Sequence, residues 1–217
     1  MGLELVQAAK MGELLGSEAR SCASPLNRPP PRATNSSVRS REYLTPAEVE
    51  AMLEASKSSG RHGQRDAALI LLAYRHGLRV GELVALRWDQ VDLDAGTLHV
   101  NRIKNGTPGV HPLRGPELRA LRQLRRDYPG TPYLFFSERK GPLTTASIRR
   151  VVARAGQLAG ITFRVHPHML RHGTGFYLAS QGQDTRAIQG YLGHRAITST
   201  AVYTALSPGR FASFWRD

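Results

Sequence analysis

The stretch His166-Pro167-His168-Met169-Leu170-Arg171-His172 decides how this chain reads. Proline at a first helical position opens a helix there, and His168 and Arg171, three residues apart, project from one face of it. Unpaired N–H groups at such a helix end attract anions. A guanidinium beside them is always charged and bonds an oxyanion bidentately. Taken alone, the segment also reads as a polar helix face with a capping histidine. His172, one residue round from Arg171, is assigned to packing.

Working outward, Leu192-Gly193-His194 closes another helix, with Gly193 suited to a left-handed C-terminal turn. His194, held just past that turn, can donate to a phosphate oxygen or simply answer the helix dipole. Tyr203 falls in a last short helix among Thr198, Thr200 and Thr204. By itself it is an ordinary aromatic, but a phenol with a pKa of about 10 is both easily activated and a good leaving group. Upstream, Gly77-Leu78-Arg79-Val80-Gly81-Glu82-Leu83 lies between two helices, and its glycines permit a tight turn that brings Arg79 close to a ligand. Lys104 precedes Asn105-Gly106 at the tip of a predicted hairpin. Such a lysine is commonly solvated, yet an ammonium can give up a proton, which a guanidinium does not readily do.

This set meets the demands of breaking a DNA strand without a metal. The five-coordinate phosphorus carries extra negative charge on its non-bridging oxygens, which two arginines suit. A nucleophile must attack, and the departing 5′-alkoxide needs a general acid that contributes roughly 10²–10⁴-fold.

Composition points the same way. At 217 residues with 41% hydrophobic content, the chain is long enough for one well-cored domain. Its 30 basic and 17 acidic residues, a formal charge of +13, suit a protein that neutralises phosphates, the plain alternative being a solvated basic face. Lys10, Lys57, Lys104 and Lys140 are the only lysines in that basic set. A lone Cys22 excludes a disulfide framework, a zinc cluster and a credible thiol nucleophile. No apolar run approaches the roughly 18 residues of a membrane span and no signal-peptide pattern opens the chain, so a cytoplasmic protein is expected.

Residues 1–40, polar and proline-rich, are expected to be a disordered or weakly structured tail, with the ordered domain at 41–217. Thr45-Pro46-Ala47-Glu48 is a capping box opening a helix to about Ser58. Helices are predicted over about Gln64–His76, Val80–Leu86, Gly115–Tyr128, Thr145–Ala159, Pro167–Gln181, Asp184–Leu192 and Ile197–Ala205. Between them, Asp89–Leu93, Thr97–Ile103 and Val110–Leu113 are short, β-rich and separated by turns, which predicts a three-stranded antiparallel sheet. The fold class is therefore mostly α (α+β), a helical domain with one small sheet.

Arg79, Lys104, His168, Arg171, His194 and Tyr203 together resemble the active-site set of the tyrosine recombinase (phage integrase) family, over about residues 42 to 217. The phrases Gly77-Leu-Arg-Val-Gly-Glu-Leu83, Ile188-Gln-Gly-Tyr-Leu-Gly-His194 and Thr200-Ala-Val-Tyr203 fit it as well. A closer similarity, carried by His166–His172, Asp184-Thr-Arg186, Tyr191–Arg195 and the ending Gly209-Arg-Phe211 to Trp215, is to the small single-domain fimbrial-switch DNA invertases. That similarity implies that this chain, like those invertases, is expected to work without a separate N-terminal DNA-clamp domain.

The resemblance implies a site-specific recombinase that cleaves and rejoins DNA through a 3′-phosphotyrosyl intermediate, inverting or moving a DNA segment. Arg79, Arg171 and His194 would clamp the scissile phosphate, Lys104 would protonate the 5′ oxygen, His168 would help take the Tyr203 proton, and Tyr203 would be the nucleophile. It further implies double-stranded DNA as partner, a homotetramer on two DNA sites, accessory proteins that bend DNA, no cofactor, no metal, no membrane, and a place at the nucleoid. The basic side chains expected at DNA are Arg114, Arg119, Arg122, Arg125, Arg126, Arg149, Arg150 and Arg154. Phe211, Phe214 and Trp215 would dock on a neighbour or pack internally. Two other readings stay open: a DNA-binding regulator that no longer cuts, and a type IB topoisomerase-like nicking and closing enzyme.

Overall fold

A computed structural model describes residues 41–103 and 106–205. Residues 1–40, Lys104, Asn105, Phe211, Phe214 and Trp215, for which the sequence raises expectations, lie outside the described residues. Within them run helices α1 (Pro46–Lys57), α2 (Gly63–Arg75) and α3 (Val80–Ala85), then strands β1 (Val91–Asp92), β2 (Thr97–Val100) and β3 (Gly109–Pro112). Helices α4 (Gly115–Asp127), α5 (Thr145–Leu158), α6 (Pro167–Ser180), α7 (Thr185–Leu192) and α8 (Thr198–Ala205) follow.

Local chemistry sets the helix starts. At α1, the Thr45 N–H donates to Glu48 Oε2 at 2.9 Å and the Glu48 N–H to Thr45 Oγ1 at 3.3 Å, a reciprocal cap that satisfies two orphan donors. Thr144 accepts from the Ser147 N–H at 3.1 Å before α5. Asp184 accepts from the Arg186 and Ala187 N–H groups at 2.8 and 2.9 Å before α7. That helix ends as expected, with Gly193 at φ 64°.

The sheet order is β1-β2-β3, antiparallel throughout, with Val91 opposite Leu98 and Leu98 opposite His111. Leu98 and Val100 are buried and His99 exposed, the alternation of a one-faced sheet. The first two strands are shorter than predicted, and the third has its expected length, shifted by one residue. Trp88–Gln90 is a 3₁₀ turn closed by Gln90, which accepts from the Arg87 N–H at 3.0 Å and donates to the His99 carbonyl at 2.8 Å. β2 stops at Val100, because Arg102 turns its side chain inward and takes the backbone out of the ladder. The Tyr133–Phe136 run makes only isolated bridges, Arg87 with Tyr133 and Phe136 with Pro142.

Helices α1, α2, α5 and α6 meet around one core that includes Met52, Leu69, Ile70, Ile148, Met169 and Leu170. A separate, smaller cluster of Ala179, Ile188, Leu192 and Tyr203 joins α6, α7 and α8. Among the described residues no helix is long and apolar enough to cross a membrane.

Candidate active site

The turn into α3 places the first guanidinium. Gly77 at φ 56° reverses the chain after α2, and Arg79 becomes the residue that caps α3. Glu82, one turn later, accepts from the Arg79 N–H and from its Nη1, both at 2.9 Å. Oε2, which takes the Arg79 N–H, also accepts from Arg102 Nη1 at 2.9 Å. Arg102 also reaches the carbonyls of His76 at 3.1 Å and Tyr191 at 2.5 Å. A buried carboxylate thus holds two arginines. Burial alone would raise the Glu82 carboxyl, but the Arg79 N–H and the Arg102 charge hold it below its ordinary value.

Arg171, 1% exposed, comes in from α6. Its guanidinium donates to the Gly77 carbonyl and, at 2.7 Å, to the Leu192 carbonyl. One side chain therefore ties the Arg79 turn to the end of α7, where His194 sits. Burial, with the charges of Arg79 and Arg102, pushes Arg171 down to about 9, which leaves it cationic at neutral pH. Arg79 and Arg171, close enough for the charge of the first to lower the second, are set for an anion between them.

Tyr203, 2% exposed, brings its hydroxyl to His172 Nδ1 at 2.9 Å. This corrects the assignment of His172 to packing. The spacing that puts His172 one turn from His168 also puts it on the face of α6 that α8 crosses. His168 instead meets His172 edge-on, with ring centroids 4.4 Å apart. Gly175 leaves the room for the phenol, since a Cβ there would lie 2.5 Å from Tyr203 Cε2. His194 lies parallel to the phenol at 6.2 Å, its Nδ1 paired with Thr200 Oγ1 at 2.8 Å.

The electrostatics tie the group together. Burial lowers His168, His172 and His194, the last two to about 4, and the Arg171 charge adds to the effect at all three. Burial raises the Tyr203 phenol, while Arg171 and Arg79 pull it back down. The fields of both guanidiniums therefore reach the phenol. Five of the six predicted catalytic residues, Arg79, His168, Arg171, His194 and Tyr203, converge here, and Lys104 lies outside the described residues.

Sequence reasoning did not single out Glu82 or Arg102. Glu82 carried a signal, the capping-box distance from Arg79. Arg102 carried none, because nothing local says that an arginine two residues past a strand turns inward.

All eight arginines expected at DNA are exposed. Arg149, Arg150 and Arg154 lie on α5, which packs on α3, the helix that Arg79 precedes, and on α6, which carries Arg171. Arg114 caps α4, and Arg119, Arg122, Arg125 and Arg126 lie on that helix, which packs on α2. Arg122 and Arg125 share a hollow with Asp89, Asp92 and Asp94, whose charges offset theirs.

Comparison with known proteins places the arrangement. The phage integrase family matches residues 42–210. Type 1 fimbriae regulatory protein FimE of Escherichia coli (strain K12) is 46% identical over 181 residues, covering 81% of this chain and 91% of its own. FimB of the same strain is 40% identical over 180 residues, covering 81% and 90%. The crystal structure of XerA recombinase superposes with a TM-score of 0.68 at 31% identity, covering 79% of this chain and 63% of its own. That of XerH site-specific recombinase bound to its difH substrate, before cleavage, superposes with a TM-score of 0.66 at 25% identity, covering 81% and 55%. This chain therefore spans less than two thirds of either recombinase structure. This chain, which gathers two arginines, three imidazoles and a buried tyrosine in one place, belongs to the phage integrase family of tyrosine recombinases.

Proposed function

We propose that this chain is a site-specific DNA recombinase in which Tyr203 attacks the scissile phosphodiester and forms a 3′-phosphotyrosyl link. Arg79 and Arg171 clamp the non-bridging oxygens. In the tautomer whose Nδ1 accepts from the Thr200 hydroxyl, 2.8 Å away, the His194 proton rests on Nε2 and joins the clamp. Lys104 protonates the 5′ oxygen, and His168 helps to clear the Tyr203 proton. The free 5′ hydroxyl later attacks the phosphotyrosine and reseals the strand. No net energy source is needed, because the phosphotyrosyl ester retains the energy of the P–O5′ bond that breaks.

Double-stranded DNA is the partner, a reading supported by the likeness to a site-specific recombinase bound to its difH substrate. The α5 arginines Arg149, Arg150 and Arg154 are best placed to grip its backbone, and such contacts make affinity strongly salt-dependent. Four protomers act on two DNA sites, at the nucleoid in the cytoplasm, with DNA-bending accessory proteins, to invert or move a segment. The observation that carries this reading is the buried Tyr203 hydroxyl against an imidazole and within the field of two paired guanidiniums.

The test is a nicked suicide duplex carrying the chain's own site. A covalent protein–DNA adduct is expected that Tyr203→Phe abolishes. No adduct on a verified site supports the non-cleaving regulator instead. An adduct with relaxation and no strand exchange supports the topoisomerase.

A further inference from the structure

We infer that His172 is the residue that takes the proton from Tyr203, and that His168 stands behind it. The inference rests on the proposed recombinase reading and deepens it. Tyr203 has its hydroxyl 2.9 Å from His172 Nδ1, within the reach general-base catalysis requires. The phenol has little choice of direction. Its ring lies against the bare Cα of Gly175 and meets the edge of Phe176 at a centroid distance of 5.1 Å.

The other two imidazoles are otherwise engaged. His168 presents itself to the His172 ring at 78° rather than to the phenol, and His194 uses Nδ1 on Thr200. The charged and titratable groups that face His172 are His168 and Arg171 from its own helix, His166 just before it, and Tyr203 from α8. Burial first, then those neighbouring charges, hold His172 at about 4, so it is neutral and ready to accept before DNA arrives. A phosphodiester seated on Arg79 and Arg171 offsets the Arg171 charge, which raises the imidazole's affinity for a proton. Proton uptake is thereby tied to the presence of substrate.

The step balances. The Tyr203 O–H bond breaks and its proton moves to Nδ1 of His172. The phenolate oxygen forms a bond to phosphorus as the P–O5′ bond breaks, and the 5′ oxygen takes a proton from Lys104. In resealing, His172 returns the proton to the departing phenol.

His172→Asn tests this directly, because an amide oxygen at the position of Nδ1 still accepts the hydrogen bond and cannot hold a proton. On the nicked suicide duplex, adduct formation should slow by roughly 10²-fold or more, with non-covalent DNA binding and the thermal midpoint unchanged. Difluorotyrosine at position 203, whose phenol ionises more readily, should then recover much of the loss in His172→Asn and little of any loss in His168→Asn. Cleavage by His172→Asn at the wild-type rate overturns the inference. So does recovery in His168→Asn alone, or recovery in neither. Should His172→Asn not fold, His172→Gln enters the same comparison. A wild-type chain that forms no adduct on a verified site sinks the recombinase reading itself, a different result from any of these.

Discussion

Glu82 and Arg102 meet at 2.9 Å with their side chains 2% and 0% exposed, and through that contact the Arg79 turn is fixed to the segment that leads to Lys104. Arg102 fills a tight channel. A Cβ on Gly193 would lie 2.7 Å from its Cγ, and one on Gly106 would lie 2.7 Å from its Cβ. Removing one partner of a buried pair leaves an uncompensated charge. Arg102→Met should therefore cost about 3 kcal/mol of stability. For a domain of this size each kcal/mol is worth roughly 2–4 °C in the melting midpoint. Calorimetry checks it, and an unchanged midpoint would mean the pair is not a support of the site.

Gly175 gives a sharper probe of the nucleophile. Alanine in place of a helical glycine favours the helix by about 1 kcal/mol. Its methyl, however, would enter the Tyr203 ring, with Cε2, Cδ2 and Cζ all within 2.7 Å of the new carbon. Gly175→Ala should keep the fold and non-covalent DNA binding, yet lose at least 10-fold in adduct formation. Equal adduct yield from wild type and variant would show that the ring position seen here is not the reacting one.

The buried pair His76 and His111 makes stability depend on pH. Their Nδ1 atoms lie 3.4 Å apart, with Arg102, Glu117 and Tyr191 around them. Burial first, then the mutual charge and Arg102, lowers His76 to about 3; burial, then Arg102, lowers His111 to about 4. Above pH 6.5 both rings are neutral folded and unfolded. As pH falls from 6.5 towards 4, the unfolded chain takes up two protons that the folded chain refuses. From this pair alone stability should then drop by up to about 2.7 kcal/mol per pH unit, and the lowered His168, His172 and His194 add to the slope. Denaturant midpoints at pH 7, 6 and 5 measure the slope, and His76→Gln should reduce it. A flat profile would contradict the assignment.

Lys104 is tested by its leaving group. Lys104→Ala should cleave an ordinary phosphodiester poorly. It should cleave a 5′-phosphorothiolate, whose sulfur departs without a proton, at close to the wild-type rate. Gel analysis of both substrates decides, and a variant that fails on both removes the general-acid role.

Arg171→Ala separates binding from chemistry. The exposed arginines of α5 remain, so non-specific DNA affinity should change by less than about 3-fold while adduct formation falls below detection. The truncation also leaves the Gly77 and Leu192 carbonyls without their donor, so a lower melting midpoint is expected alongside. A parallel loss of both binding and cleavage would argue that Arg171 serves affinity alone.

Much of this protein was legible in one dimension, because the deciding signals are local. The Thr45–Glu48 box, Pro46 and Pro167 at helix starts, and Gly193 past α7 act on their own backbone, so each helix boundary falls within a residue or two of its expected place. Arg79, Arg171, His194 and Tyr203 were recognisable as a set through their order and spacing. What the chain alone left undecided depends on contacts between distant segments. Arg102 lies 20 residues from Glu82 in sequence and His172 lies 31 from Tyr203, and no periodicity relates either pair. The crossing of α8 over α6 chose which of two neighbouring histidines faces the phenol. The turn of Arg102 into the interior shortened a strand that propensity alone would have extended. Both are decided by how buried charges and hydroxyls find partners once the helices have packed, and that requirement exists only in three dimensions.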